Sequence, residues 1–246
     1  MKVYWHTIKG TGKGANEDRV LIGQSVKKDG SGQADLTRGF VAVADGVGGN
    51  QGGAEASDFV CQVLAQEKNP DREFFQHVNH LLIEKGAVNP VYRSMATTFS
   101  GIFLLPEKED TILFHVGNTR VYAIQAGKYL RQITEDDTVV QRLVKTGKLT
   151  EEEAENYAAR NEITACLGGG KESLLSLDEV HFRQNGPAQF LLTSDGVHEY
   201  LSTDEMEDIL AQAKGDWQKA VLSLTEYALA NGSNDDCTVI LADKTI

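Results

Sequence analysis

An α+β fold, with antiparallel sheets covered by helices, is predicted by three features of the 246-residue sequence. Apolar β-prone runs and paired helical segments interleave without a regular β-α-β alternation, which argues against a doubly wound parallel sheet. A four-strand meander occupies the middle of the chain. No Pro/Ser-rich linker, internal repeat or low-complexity tract divides it, and 41% hydrophobic content is enough for a substantial core, so residues 1–246 read as a single domain.

The first strand is read over residues 3–8, followed by a glycine-rich turn at 10–14 and, after Glu17-Asp18, a second strand over 20–22. The tract 27–35 (KKDGSGQAD) reads as an exposed hairpin loop. Residues 40–44 (FVAVA) make a central strand that ends on Asp45-Gly46. Ala56, Phe59, Val60, Val63 and Leu64 recur at helical spacing and predict a helix from about Ala54. A second helix is read from about Pro70, with Asn69 as its cap and Phe74, Phe75, Val78, Leu81 and Leu82 on its apolar face. The meander covers 98–105, 111–116, 120–124 and 128–133. Helices follow over 137–146 and 151–160, the second opened by Thr150 and Glu153 at capping-box spacing. Residues 163–170 end in three glycines and read as loop. Strands over 179–183 and 188–194 come next, then a helix after Ser202 with Glu205 again at capping-box spacing. A longer helix presents Trp217, Ala220, Val221, Leu224 and Tyr227 on one side, and a last strand runs to about Asp243.

Charge narrows the function. The formal net charge of −12, from 24 basic and 36 acidic residues, opposes binding to nucleic acid or an anionic membrane. No stretch approaches the ~18 consecutive apolar residues of a membrane span, and the N-terminus lacks a signal peptide's apolar segment, so the chain reads as soluble and cytoplasmic. Cys61, Cys166 and Cys237 are odd in number and far apart; they read as small buried apolar residues, not a disulfide framework or zinc knuckle.

The chemistry is carried by acids at strand ends. Asp45-Gly46 and Asp195-Gly196 each follow an apolar run, whereas Glu17-Asp18 and Asp235-Asp236 each precede one. In antiparallel pairing the last residue of one strand lies beside the first of its neighbour. The four acidic ends can therefore converge on one edge, and carboxylates that close together call for a cation. An all-oxygen set without His or Cys suits Mg²⁺ or Mn²⁺ better than zinc.

Taken together, NEDR (16–19), ADGVGG (44–49), ATT (96–98), GNTR (117–120), SDGVHEYLS (194–202) and NDDCTVI (234–240) resemble the metal-dependent protein phosphatases of the type 2C family, of bacterial type, in that family's order across almost the whole chain. The resemblance implies a central antiparallel β-sandwich flanked on both sides by pairs of helices, a four-layer α-β-β-α arrangement with two metals at one end. It implies a serine/threonine phosphoprotein phosphatase in which two Mn²⁺ or Mg²⁺ ions activate a water that attacks the phosphate monoester in line, without a phosphoenzyme. Carried over by position, Asp45 resembles the carboxylate bridging both ions, the Gly46 carbonyl and Glu17 ligands of one, and Asp195 and Asp235 ligands of the other. Asp18 and Asp236 would support them. The implied partners are phosphoserine and phosphothreonine proteins, opposing a serine/threonine kinase, with the phosphatase acting as a monomer.

Several positions depart from the family pattern. Lys13 stands where an Arg binds the substrate phosphate; it is the candidate phosphate-binding residue, but as a point charge without a bidentate fork. Val47 replaces a His proposed as general acid, leaving protonation of the leaving group to water. Asn118 replaces an Asp that helps bind a third ion, and a neutral amide is a poorer ligand for a hard cation. Glu199 replaces a frequent Asp and is expected to accept hydrogen bonds outside the ligand set; His198 is a weaker candidate for a supporting role. Residues 136–171 correspond to the family's variable flap, and its acidic cluster at 150–155 reads as a solvated helix face. GTGKG at 10–14 lacks the residues of a P-loop, and His77 and His80 read as exposed. Two alternatives stay open at this point: a hydrolase of small phosphate monoesters on the same scaffold, and a noncatalytic binding module.

Overall fold

In the computed structural model, which describes residues 1–47, 51–105, 110–182 and 186–245, two six-stranded antiparallel sheets face each other between pairs of helices. The elements run β1 (Lys2–Ile8), β2 (Arg19–Ile22), β3 (Ser25–Lys27), β4 (Gly30–Asp35), β5 (Gly39–Ala44), β6 (Gly46–Val47), α1 (Gln51–Leu64) and α2 (Arg72–Val88). The meander follows as β7 (Ala96–Thr97), β8 (Phe99–Leu105), β9 (Asp110–Val116), β10 (Arg120–Gln125) and β11 (Tyr129–Gln132), then α3 (Val139–Lys145), α4 (Glu151–Glu155) and β12 (Leu167–Gly168). The chain closes with β13 (Asp178–Phe182), β14 (Gln189–Thr193), α5 (Asp195–His198), α6 (Thr203–Ala213), α7 (Trp217–Ala230) and β15 (Cys237–Asp243). One sheet orders β11-β10-β14-β15-β1-β4, the other β13-β9-β8-β5-β2-β3, and a small third sheet orders β12-β7-β6.

Central strands are buried on both faces, which is why they read as continuous apolar runs. Phe40, Ala42 and Ala44 of β5 point to a core under α1 and α2, while Val41 and Val43 point between the sheets. In β15, Val239 and Leu241 face a third core under α6 and α7, and Ile240 and Ala242 meet β5 from the opposite sheet. The α1/α2 core is built on aromatic rings: Phe40 lies 4.8 to 6.3 Å, centroid to centroid, from Phe75, Phe99, Phe103 and Phe114. Each such pair adds about 0.5–1.5 kcal/mol beyond the area it buries.

The expected α+β sandwich is present, with local corrections. Residues 30–35 are not loop: they form the edge strand β4, paired with β1 so that Trp5 lies opposite Gly32, where a Cβ would come within 3.3 Å of the indole. The second helix is capped by Asp71, whose carboxylate accepts the Phe74 N–H, so Asn69 and Pro70 lie ahead of it. The helix read over 137–146 narrows to α3 behind Thr138, and that over 151–160 stops at Glu155, although its capping box is present. Within 163–170, Leu167–Gly168 is a strand. Tyr227 is exposed, with Thr225 and Ala228 taking the buried side of α7. The capping box at Ser202 and Glu205 and the burial of all three cysteines are as expected. Gly48 and Gly49 of the ADGVGG motif and Arg183 of the predicted 179–183 strand lie outside the described residues. No helix among the described residues is long and apolar enough to cross a membrane.

Phe40 is the ring on which the others converge, so Phe40→Ala is expected to destabilise the protein by about 3–5 kcal/mol. The loss should appear as a lower urea midpoint with little change in m-value; a midpoint within error of wild type would show that the aromatic cluster is not the support it looks to be.

Candidate active site

The strand registers bring the acidic ends together. Pairing of Arg19 with Ala44 sets Glu17 and Asp18, just before β2, beside Asp45 at the end of β5, and the Gly46 N–H donates to the Glu17 carbonyl. In the facing sheet Thr193 pairs with Val239, and the Ser194 N–H donates to the Thr238 carbonyl, which sets Asp195 beside Asp235 and Asp236. Two glycines make the approach possible. A Cβ on Gly46 would come 2.3 Å from the Gly53 backbone at the start of α1, and one on Gly196 would come 2.1 Å from the Asp236 carbonyl.

The carboxylates interact directly. Burial, then the charge of Asp195, pushes Asp45 well above the usual carboxylate range. Asp195 is itself raised by burial and by Asp235, and Asn118 Nδ2 donates to its Oδ2 at 3.0 Å. Asp18 is raised by burial despite a 2.6 Å hydrogen bond from Thr238. Asp18 Oδ1 and Glu17 Oε1 are buried with no hydrogen-bond partner.

Asp236 is structural as well as acidic: its two oxygens accept the Gly10 and Glu17 N–H groups at 2.9 and 2.7 Å. Lys13 is not a free clamp waiting for an anion. Its ammonium donates to Glu17 Oε2 at 3.2 Å and Asp235 Oδ1 at 2.9 Å, bridging an acid at the edge of each sheet. Burial pulls the Lys13 pKa down, but these two pairs more than offset it and the group is held charged. Glu199 stands off the cluster and accepts from Asn161 Nδ2 at 2.7 Å; burial, then Asp195, pushes it up to about 7. His198 is buried and kept neutral by that burial, its Nδ1 paired with the Thr193 hydroxyl.

Sequence reasoning left some supporting residues unassigned. The Asp45 carbonyl accepts from the Thr97 hydroxyl and the Thr98 N–H, both at 2.8 Å, and the Thr98 hydroxyl accepts the Asp45 N–H. Polar threonines heading an apolar strand were the available signal. The Arg19 guanidinium donates to the carbonyls of Asn16 and Asp18 and to the Asp58 carboxylate, locking the acidic turn onto α1. Segment 136–171 is rooted beside the site: Arg120 forks onto Asp136, and Asp137 accepts the Gly117 N–H. Its return strand β12 pairs with β7, which pairs with β6 at Gly46. Among the described residues no group of three or more His, Cys, Asp or Glu side chains is placed to hold a metal ion as it stands. The acids are assembled at one mouth, with Lys13 between two of them.

Comparison with known proteins places this arrangement. The profile of the family described as Protein phosphatase 2C matches residues 22–229. The serine/threonine phosphatase stp of Listeria welshimeri is 28% identical over 220 residues, 84% of this chain and 85% of that protein. The serine/threonine protein phosphatase PstP of Mycobacterium tuberculosis is 29% identical over 245 residues; the match takes in 96% of this chain but 43% of the length of PstP. Among solved structures, the catalytic domain of PstP in complex with two manganese ions superposes with a TM-score of 0.75 at 27% identity, covering 99% of both chains.

Two outcomes are expected in metal-free protein. A carboxyl whose folded-state pKa exceeds its unfolded value binds its proton more tightly when folded, so stability is lost as pH rises between the two values. For Glu199 the window runs from its ordinary 4.5 to about 7, and Asp45 and Asp195 act in the same direction. The melting temperature should therefore fall from about pH 5 to about pH 7, with Glu199→Gln flattening part of the slope; a rise over that range would contradict the assignment. Separately, Lys13→Met leaves buried Glu17 without its counter-charge and should cost about 1–3 kcal/mol in thermal or urea unfolding. Added Mn²⁺ should restore much of it, because an ion that binds only the folded state stabilises that state.

Proposed function

The chain belongs to the protein phosphatase 2C family, and from that membership we propose a metal-dependent serine/threonine phosphoprotein phosphatase in which two divalent ions serve an in-line hydrolysis. The observation that carries the reading is the convergence of Glu17, Asp45, Asp195 and Asp235 from facing sheets onto one end of the sandwich. Crowded, desolvated acids that raise one another's pKa are unfavourable unless a cation compensates them. The donors fit a hard cation: all are oxygens, and Glu17 Oε1 is buried with nothing to bond.

Asp45 would hold both ions, with the Gly46 carbonyl and Glu17 on one and Asp195 and Asp235 on the other. Bound there, Mn²⁺ or Mg²⁺ supplies charge neutralisation for the phosphate and lowers the pKa of water toward neutrality. The chain's own residues do the rest. Thr97 and Thr98 fix the Asp45 backbone, Asp236 fixes that of Glu17, and Asn118 orients Asp195. Lys13, at the mouth, is the residue to meet the substrate phosphate, exchanging its carboxylate partners for phosphate oxygens as a point charge. No side chain acts as nucleophile and no phosphoenzyme forms; Val47 carries no proton, so the leaving alkoxide takes one from water. A neutral Asn118, hydrogen-bonded to Asp195, favours two ions over three.

The proposed substrates are phosphoserine and phosphothreonine proteins, opposing a serine/threonine kinase, with the 246 residues acting as one cytoplasmic, monomeric catalytic unit and 136–171 as its flap. Chelator-stripped protein is expected to hydrolyse a phosphothreonine peptide only after Mn²⁺ or Mg²⁺ is added, and Asp195→Ala to lose at least ~10²-fold, the scale of a lost charge-stabilising group. Metal-independent turnover, or an Asp195→Ala variant with the wild-type rate, would overturn the reading.

A further inference from the structure

A groove of about 1160 Å³ begins at Lys13 and Glu17 and runs past Glu55 and Asp58 of α1 to Val91 and Tyr92. It is larger than the cleft at the far end of the sandwich, about 760 Å³, and the one beside α3, about 540 Å³. Its inner end is therefore part of the acidic site, and its outer end is apolar. Val88 and Val91 are 86% and 65% exposed, more than any other large hydrophobic among the described residues.

These valines are held out on a rigid support. Val88 ends α2, and a single 3-10 turn over Pro90–Tyr92 follows, capped by Asn89, whose side chain accepts the Val91 N–H at 3.0 Å. Gly86 packs so tightly under the turn that a Cβ there would come 2.6 Å from the Tyr92 carbonyl. The Met95 N–H donates to that same carbonyl, and the Met95 carbonyl accepts from Gly169, tying the turn to the chain beside β12. The acids of the groove wall already have partners: Glu55 is paired with Lys85 at 2.7 Å and Asp58 with Arg19 at 2.9 Å. The wall offers little net charge to a ligand, and its outer end offers apolar surface.

We propose that this groove is the docking channel for the polypeptide flanking the phosphorylated residue, and that Val91 selects substrates carrying an apolar side chain a few residues from the phosphate. The proposal rests on the phosphatase reading and deepens it. Continuity identifies the occupant: the groove opens into the site that would take the phosphate, and an extended chain leaving that site at about 3.3 Å per residue enters it directly.

The test is steady-state kinetics of the Mn²⁺-loaded enzyme on phosphothreonine peptides with a single leucine or serine moved through the five positions on each side, with p-nitrophenyl phosphate as a substrate too small to reach Val91. At one position leucine should be favoured about tenfold in kcat/KM, chiefly through KM, the usual worth of one apolar contact. Val91→Asp should erode that preference and Val91→Leu keep it, with p-nitrophenyl phosphate turnover within about twofold of wild type throughout. Turnover of both substrate types without a leucine preference, or with one that Val91→Asp leaves intact, overturns the groove alone. A parallel fall in p-nitrophenyl phosphate turnover also overturns it, because the effect then lies in the site and not in docking. If wild type turns over neither substrate, the phosphatase reading fails and the groove with it.

Discussion

The Asp236 carboxylate, buried where the two sheets meet, accepts one backbone N–H from Gly10 and another from Glu17. That pair of bonds joins the start of β15 to the turn between β1 and β2 and so binds the acidic edge of one sheet to that of the other. Everything at the site depends on this seam, since Glu17 with Asp45 and Asp195 with Asp235 arrive on different sheets and repel one another. Three interleaved cores provide the force that holds them, at roughly 25 cal/mol per Å² of apolar area buried. The glycines at 46 and 196 let backbones touch where side chains would have kept the acids apart. Folding energy from the cores is in effect stored as electrostatic strain at one end.

The distribution of polar partners fits that view. Backbone of the acidic residues is heavily anchored, by Thr97, Thr98, Arg19 and Asp236, while Glu17 and Asp18 each keep a buried oxygen without a partner. The scaffold fixes the main chain and leaves side-chain oxygens free to bind. Asn118 belongs to the same economy of charge: it offers Asp195 a donor where another carboxylate would have added repulsion.

Most of this was legible because the signals are local. Strands buried on both faces spell unbroken apolar runs, and the acidic pairs at the ends of such runs are the ones the sheets bring together; both capping boxes follow from two residues each. The failures came where the deciding partner is distant. The edge strand β4, GSGQAD, has neither β-branched residues nor alternation, and it exists because β1 offers it a ladder and Trp5 needs a glycine opposite. Asp71, two residues beyond Asn69, takes the cap of α2. The engagement of Lys13 with Glu17 and Asp235, beyond its expected phosphate-binding role, depends on two sheet edges meeting across 222 residues of chain, from 13 to 235. Thr97 and Thr98 were within a recognised motif, but their duty to Asp45 could not be seen until the small third sheet was.

That third sheet bears on how the segment 136–171 could be exchanged between relatives. Its entry and exit are stitched together, since Val139 and Thr164 donate to the carbonyls of Glu162 and Asp137, which makes a natural splice point at 138–163. The next residues toward the C-terminus are a different matter. Leu167 and Gly168 share a ladder, through Thr97 and Ala96, with Gly46 and Val47. A transplanted cassette cut at 171 would carry away the outer strand of the sheet that holds Gly46, whereas one cut at 163 would leave the recipient's Asp45-Gly46 turn with its ladder intact.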